Sequence, residues 1–142
     1  MKKELLLLFS LILFVATYAV AQSPVGVWKT IDDETGLEKS YVEIYEQGGK
    51  LYGKILEILQ EEDKGKSCEV CPGKKKDQPI EGMEILMGMK KDDDYWSDGK
   101  ILDPNNGKVY KCYLELESDD KLKVRGYIGF ALLGRTQYWY RK

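Results

Sequence analysis

A chain of 142 residues with 24 acidic and 22 basic side chains, a formal net charge of −2 and no histidine has the length for one modest hydrophobic core. Its lysines alternate with acids, which excludes nucleic acid as a partner, because phosphate binding needs a concentrated positive field. Without histidine or a serine in a nucleophile elbow, general-base and triad chemistry lack their usual side chains, and the sequence reads as that of a non-enzyme.

Lys2 and Lys3 precede an apolar run over residues 5–20, and Ala19-Val20-Ala21 has the small-x-small form that signal peptidases cut. These features predict a secretory leader over residues 1–21, cleaved after Ala21, and export to the periplasm or beyond. The run falls short of the roughly 20 residues of a spanning helix, and no basic stop-transfer cluster follows it. No membrane span is therefore expected in the mature chain, and with no cysteine directly after the run, no lipid anchor either.

From residue 22 onward a single domain is expected. Residues 25–30 alternate apolar and polar, Asp32-Asp33-Glu34-Thr35-Gly36 breaks the pattern, and residues 40–46 resume it with Tyr41, Val42, Ile44 and Tyr45. Gln47-Gly48-Gly49-Lys50 is a tight-turn signal leading into an apolar run over residues 51–59, which makes a hairpin. Residues 55–62 would also suit a helix, but they follow a hairpin turn and begin with β-branched Ile55. Residues 60–81 are polar and too long for an ordinary hairpin connection, so they are either functional or mobile.

Short strands are then expected over residues 82–89 and 95–102, separated by the acidic turn Asp92-Asp93-Asp94. Asp103-Pro104-Asn105-Asn106-Gly107 is a turn with a mechanism, since Pro104 fixes φ and Asn106-Gly107 tolerate positive φ. Val109, Cys112, Leu114 and Leu116 continue the alternation, Ser118-Asp119-Asp120 turns the chain, and runs over residues 122–128 and 135–141 close the domain. Hairpin-linked strands numbering about eight favour an all-β, up-and-down antiparallel barrel, because closure removes exposed edges.

Three cysteines permit one intramolecular bridge. The leading expectation joins Cys112 to Cys68 or Cys71, stapling the long loop to the sheet; a bridge within Cys68-x-x-Cys71 is the alternative. A thioredoxin-like redox pair is disfavoured, because that motif opens a helix whereas this one sits in a charged loop. Neither metal nor cofactor is expected: three cysteines without histidine make a poor zinc set, and the oxygen-rich Asp103–Gly107 turn lacks calcium-loop spacing.

Gly26-Val27-Trp28-Lys29 opening the first strand, with Gly134-Arg135-Thr136-Gln137-Tyr138-Trp139-Tyr140-Arg141 at the end, resembles the calycin pattern of lipocalins, fatty-acid-binding proteins and avidins. The resemblance implies that Gly26 and Trp28 lie at the closed end of a barrel, with Arg141 or Arg135 stacked on the Trp28 ring. The ordered set Gly26-x-Trp28-Lys29, Gly53-Lys54-Ile55, Cys68-x-x-Cys71, Gln78-Pro79-Ile80-x-Gly82, Gly99-Lys100-Ile101-Leu102-Asp103-Pro104, Gly107-Lys108-x-Tyr110 and Arg125-Gly126-Tyr127-Ile128-Gly129 is similar to a family of small exported bacterial proteins known only as a domain of unknown function. That likeness implies export and carries no activity with it.

Arg125 and Arg135 on neighbouring late strands, with Tyr110, Tyr127 and Trp139 on the same sheet, form a candidate ligand-binding set that could clamp a carboxylate or phosphate. The structural alternative pairs the two arginines with internal acids such as Asp103 and buries the rings. Two functions follow. The first is a binder of a small apolar or anionic molecule; the second is a barrel filled by Trp28, Tyr41, Tyr110, Tyr127 and Trp139 that acts on an unknown protein partner through its surface and the 60–81 loop.

Overall fold

Alternation with a period of two produces eight antiparallel strands in the computed structural model, which describes residues 22–142; the expected leader and its cleavage at Ala21 lie outside the described residues. The strands are β1 (Gly26–Ile31), β2 (Glu38–Gln47), β3 (Lys50–Ile58), β4 (Glu84–Asp92), β5 (Tyr95–Asp103), β6 (Lys108–Ser118), β7 (Lys121–Tyr127) and β8 (Gly134–Arg141). Each pairs with the next, and β8 returns to β1 to close the barrel. The helical option over residues 55–62 reduces to one 3₁₀ turn, Glu61–Asp63, after β3 has run its course. The fourth strand starts at Glu84, two residues later than expected, and extends into the acidic run, where Asp93 turns the chain at a φ of 51°. Among the described residues no helix is long and apolar enough to cross a membrane.

The tight turns after β2, β4 and β6 lie at one end of the barrel; the loops over residues 32–37, 59–83, 104–107 and 128–133 lie at the other. The first end is solidly packed. Trp28, Val42, Ile44, Leu51, Leu86, Met89, Leu114 and Leu122 are buried there; Leu86 and Met89, three apart on β4, both point inward because the register slips between them, where Gly88 takes a φ of 69°. Two of the rings expected inside have the opposite parity. Tyr41 stands between inward Ser40 and Val42 and so faces out, where the Lys142 ammonium sits 3.9 Å from its ring centre. Tyr127 follows inward Gly126, and its ring lies 6.3 Å from that of Tyr113 on the outer face.

The β1–β8 seam is short, pairing Trp28 with Arg141 and Lys29 with Tyr140. Its reinforcement comes from side chains. Trp28 is fully buried and its Nε1 donates to the Pro24 carbonyl at 2.7 Å. The Arg141 guanidinium lies 4.2 Å above the Trp28 ring, so of the two arginines considered it is Arg141 that stacks. Its nitrogens also donate to the carbonyls of Val25 (2.9 Å), Ser23 (3.0 Å) and Asp119 (2.6 Å). Gly26 makes this possible: at its φ of 138° an added Cβ would lie 2.6 Å from Arg141 Nη1.

The disulfide joins Cys68 to Cys71 and does not reach Cys112. The reason is parity. Cys112 points into the packed barrel, 1 % exposed, while the pair rides on the long loop over the β5–β6 turn, with Cys68 Sγ 3.4 Å from the Pro104 carbonyl oxygen. Burial pushes the Cys112 thiol up to about 12, which leaves it protonated and inert at neutral pH.

Trp28→Ala removes a buried ring and should cost about 3–5 kcal/mol, while Arg141→Ala, which keeps the ring but loses its cover, should cost about 1–3 kcal/mol. Urea unfolding followed by far-UV circular dichroism measures both; an Arg141→Ala protein as stable as the parent would show that the seam does not need the guanidinium.

Candidate functional site

Above the packed end the barrel is hollow. A cavity of about 1230 Å³ opens between the four loops of the other end. Its floor and lower walls are Trp139, Val124, Leu102, Ile85, Ile55 and Ile58, all buried and contributed by inward positions of β8, β7, β5, β4 and β3. One wall is polar but uncharged. Thr30 of β1 and Ser40 of β2 face each other in register, and their buried hydroxyls share a hydrogen bond of 2.8 Å. Gln137 lies beside them on β8, accepting from Trp139 Nε1 at 3.1 Å and donating to Asp33 Oδ1 at 3.1 Å.

That hydrogen-bonded chain ends on Arg135, whose Nε and Nη2 grip both oxygens of Asp33 at 2.9 and 2.6 Å; Glu34 stands 3.5 Å from the same guanidinium. The Arg135 hydrogen bonds hold the Asp33 carboxyl below the usual aspartate range, against a desolvation that acts the other way. Asp32 is likewise held low, first by the backbone N–H of Thr35 at 2.7 Å, and Asp63 by Lys66 and Lys39 at 2.8 and 3.0 Å. The mouth thus carries ion pairs over part of its rim, above a hollow whose floor is apolar.

The long 59–83 loop supplies part of this rim through Asp63, Lys66, Val70 and Ile80. A bridge between Ser67 and Pro79, with the Cys68 N–H donating to Gln78 and the Asp77 N–H to Cys68, folds it into an ordered flap. It packs so closely on the β5–β6 turn that a Cβ on Gly107 would lie 1.9 Å from the Val70 carbonyl oxygen. The turn itself uses its own oxygens: Asp103 Oδ1 accepts from the Asn105 N–H and Asn106 Oδ1 from the Lys108 N–H, as an Asx turn requires.

The five residues expected to bind ligand are divided by the fold. Trp139 is the floor, Tyr110 and Arg135 line the upper wall and rim, and Tyr127 belongs to the rim. Arg125 is not brought in. It shares outward parity with Lys121 and Lys123, and its side chain donates to the Ala131 carbonyl (2.6 Å) and Thr136 Oγ1 (2.8 Å) outside the barrel. Asp103, expected as an arginine partner, lines the cavity but serves the turn; the partner of Arg135 is Asp33. Thr30, Ser40, Gln137 and Asp33 were not singled out by the sequence reading. The first three were accessible to it, because each stands two residues from an inward apolar or aromatic position on the same strand.

Because Asp33 is more acidic folded than unfolded, its contribution to stability is complete above the unfolded value of about 4 and is lost as pH falls through the lower folded value; Asp32 and Asp63 have the same sign. Asp33→Asn should cost about 1 kcal/mol at neutral pH and make the urea midpoint less sensitive to acidification towards about pH 3. An unchanged pH profile would mean that the Arg135–Asp33 pair adds nothing.

Comparison with known proteins places the molecule. A family model described as "Uncharacterized protein conserved in bacteria (DUF2147)" matches residues 26–141. The solved structure of protein HP1028 from Helicobacter pylori, described as belonging to the lipocalin family, superposes with a TM-score of 0.74 at 22% identity, covering 84% of this chain and 83% of that one. It shows the fold as a lipocalin-like eight-stranded barrel. No curated protein matches the sequence. With the match running from the first barrel strand to the last, this chain belongs to the DUF2147 family of bacterial proteins.

Proposed function

We propose that this protein is an exported, non-catalytic carrier or sensor of a small, largely apolar molecule that enters the open half of the barrel and rests on Trp139. The observation that carries the reading is the coexistence of a solid closed half with a hollow open half of about 1230 Å³. A chain selected only to fold would fill such a space, since interiors pack to crystal density. The space exceeds the roughly 300–1,000 Å³ of most small-molecule pockets, so it leaves room for such a ligand, and pockets of this kind combine apolar walls with a few fixed polar groups. Here those groups are Thr30, Ser40 and Gln137. Export is supported by the leader-type N-terminus and by the Cys68–Cys71 bridge.

Of the two ligand chemistries considered, the neutral one is better supported. Arg135 is already held at two points by Asp33, and the cavity lining carries five carboxylates (Asp32, Glu34, Asp63, Glu69, Asp103) against three cations (Lys39, Lys66, Arg135). A free anion would meet an unfavourable field and would have to displace an intramolecular partner. An apolar molecule with one neutral hydrogen-bonding group meets neither obstacle. Its polar group fits against the Thr30–Ser40 pair, where a hydroxyl can both donate and accept.

An environment-sensitive apolar dye, added from ethanol, should bind the protein with tryptophan-to-dye energy transfer that is reduced, not abolished, in Trp139→Phe, because Trp28 and Trp96 remain in the same barrel. Val124→Trp puts a large ring into the hollow and should weaken dye binding about tenfold or more while leaving the circular dichroism spectrum in place. No dye uptake by the parent protein, or equal uptake by the Val124→Trp protein, would contradict the proposal.

A further inference from the structure

The rim is not uniform. The β7–β8 loop, Ile128-Gly129-Phe130-Ala131-Leu132-Leu133, contains no charged or polar side chain and is thrust into solvent, with Phe130 76% and Leu132 90% exposed. Soluble proteins rarely present so concentrated an apolar protrusion without something to cover it. The loop is nonetheless built. The Ile128 N–H donates to the Leu133 carbonyl at 3.2 Å, the Leu133 N–H to Phe130 at 2.9 Å, and Arg125 Nε caps the Ala131 carbonyl at 2.6 Å. These bonds fix the loop's shape, while the N–H groups of residues 129–132 find no partner within the protein and keep water or headgroup partners, which suits the interface and not the bilayer interior. The turns at the closed end offer nothing comparable; they are Gln47-Gly48-Gly49, Asp92-Asp93-Asp94 and Ser118-Asp119-Asp120.

We propose that the 128–133 loop seats the open end of the barrel in the surface of a phospholipid bilayer, with Phe130 and Leu132 entering the acyl boundary and Arg125 meeting headgroup phosphate. Three observations favour lipid over other apolar partners. First, the loop is continuous with the cavity: Ile128 and Leu133 line its mouth, so insertion would join the hollow to the acyl phase without a water-filled gap. Second, the outer wall just behind the loop has the composition of an interfacial band, with the neighbouring rings of Tyr113 and Tyr127 flanked by exposed Lys111. Third, Arg125 and Lys111, on the outer wall behind the loop, have no ion-pair partner among the described residues. Both are therefore available to headgroup phosphate. The purpose of the docking, exchange of an apolar molecule with the membrane, rests on the carrier reading above; the docking itself does not.

Protein beginning at Gln22, so that no leader can contribute, is mixed with vesicles of phosphatidylethanolamine and phosphatidylglycerol, with no ligand present, and sedimented. The parent should pellet with the vesicles, and the Phe130→Ser/Leu132→Ser protein should lose vesicle binding by about tenfold or more. Arg125→Gln should weaken binding less, and dye uptake from ethanol by the Phe130→Ser/Leu132→Ser protein should be unchanged, since neither residue lines the cavity. A parent that stays in the supernatant, or a double variant that still pellets, would overturn the proposal. So would a concentration-dependent dimer abolished by the same double variant, which would make a second copy the cover. Vesicle binding without dye uptake would instead remove the carrier reading and leave the docking standing.

Discussion

Closure of β8 onto β1 is the constraint on which the rest of this molecule depends. The two strands share little backbone pairing, and an eight-stranded sheet left open there would present two bare edges to solvent. Arg141 secures the join. Its guanidinium covers the Trp28 ring and collects carbonyls from the lead-in segment before β1 and from the β6–β7 turn, so that one side chain ties together three parts of the chain that only meet at this end. Trp28 fills the barrel axis from below. With one end sealed in this way, the core can be dense in the lower half and absent in the upper without the barrel losing its shape.

That division explains why loops and turns differ so sharply between the two ends. Tight, polar turns suffice where the core is solid. At the open end the connections are longer and carry the chemistry: the 32–37 loop brings Asp33 to Arg135, the disulfide-bearing flap over residues 59–83 adds Lys66 and Asp63, and the 128–133 loop carries the exposed apolar side chains. The flap is pinned to the β5–β6 turn at Gly107, a position where no other residue would let the backbones approach so closely.

The barrel was legible because each strand advertises its inward face by alternation, as in Leu122-Lys123-Val124-Arg125-Gly126, and because glycine and asparagine mark the turns between strands. The stacking of Trp28 under an arginine follows from the calycin resemblance of the Gly-x-Trp opening, and Arg141 is the arginine that makes it. What failed did so for identifiable reasons. Arg125 was chosen for its chemistry although its parity, read from Leu122 and Val124, already placed it outside. The leading expectation for the disulfide fails although Cys112, two residues before Leu114, already has inward parity; the alternative within Cys68-x-x-Cys71 is the bridge that forms. The Arg135–Asp33 pair spans 102 positions in the chain and exists only because β8 closes on β1, so no local pattern announces it. The apolar loop between β7 and β8 drew no notice because hydrophobic residues beside a strand read as more strand; only their exposure gives them meaning.

The most direct test of the central claim, that the hollow half of the barrel exists to hold an apolar molecule, is native mass spectrometry of the protein purified from the envelope of its own cells, with a denatured control. A reproducible noncovalent mass that disappears on denaturation and is absent from the Val124→Trp protein is the result expected. A clean apo mass in the parent, with no uptake from a lipid and metabolite extract, would contradict the account.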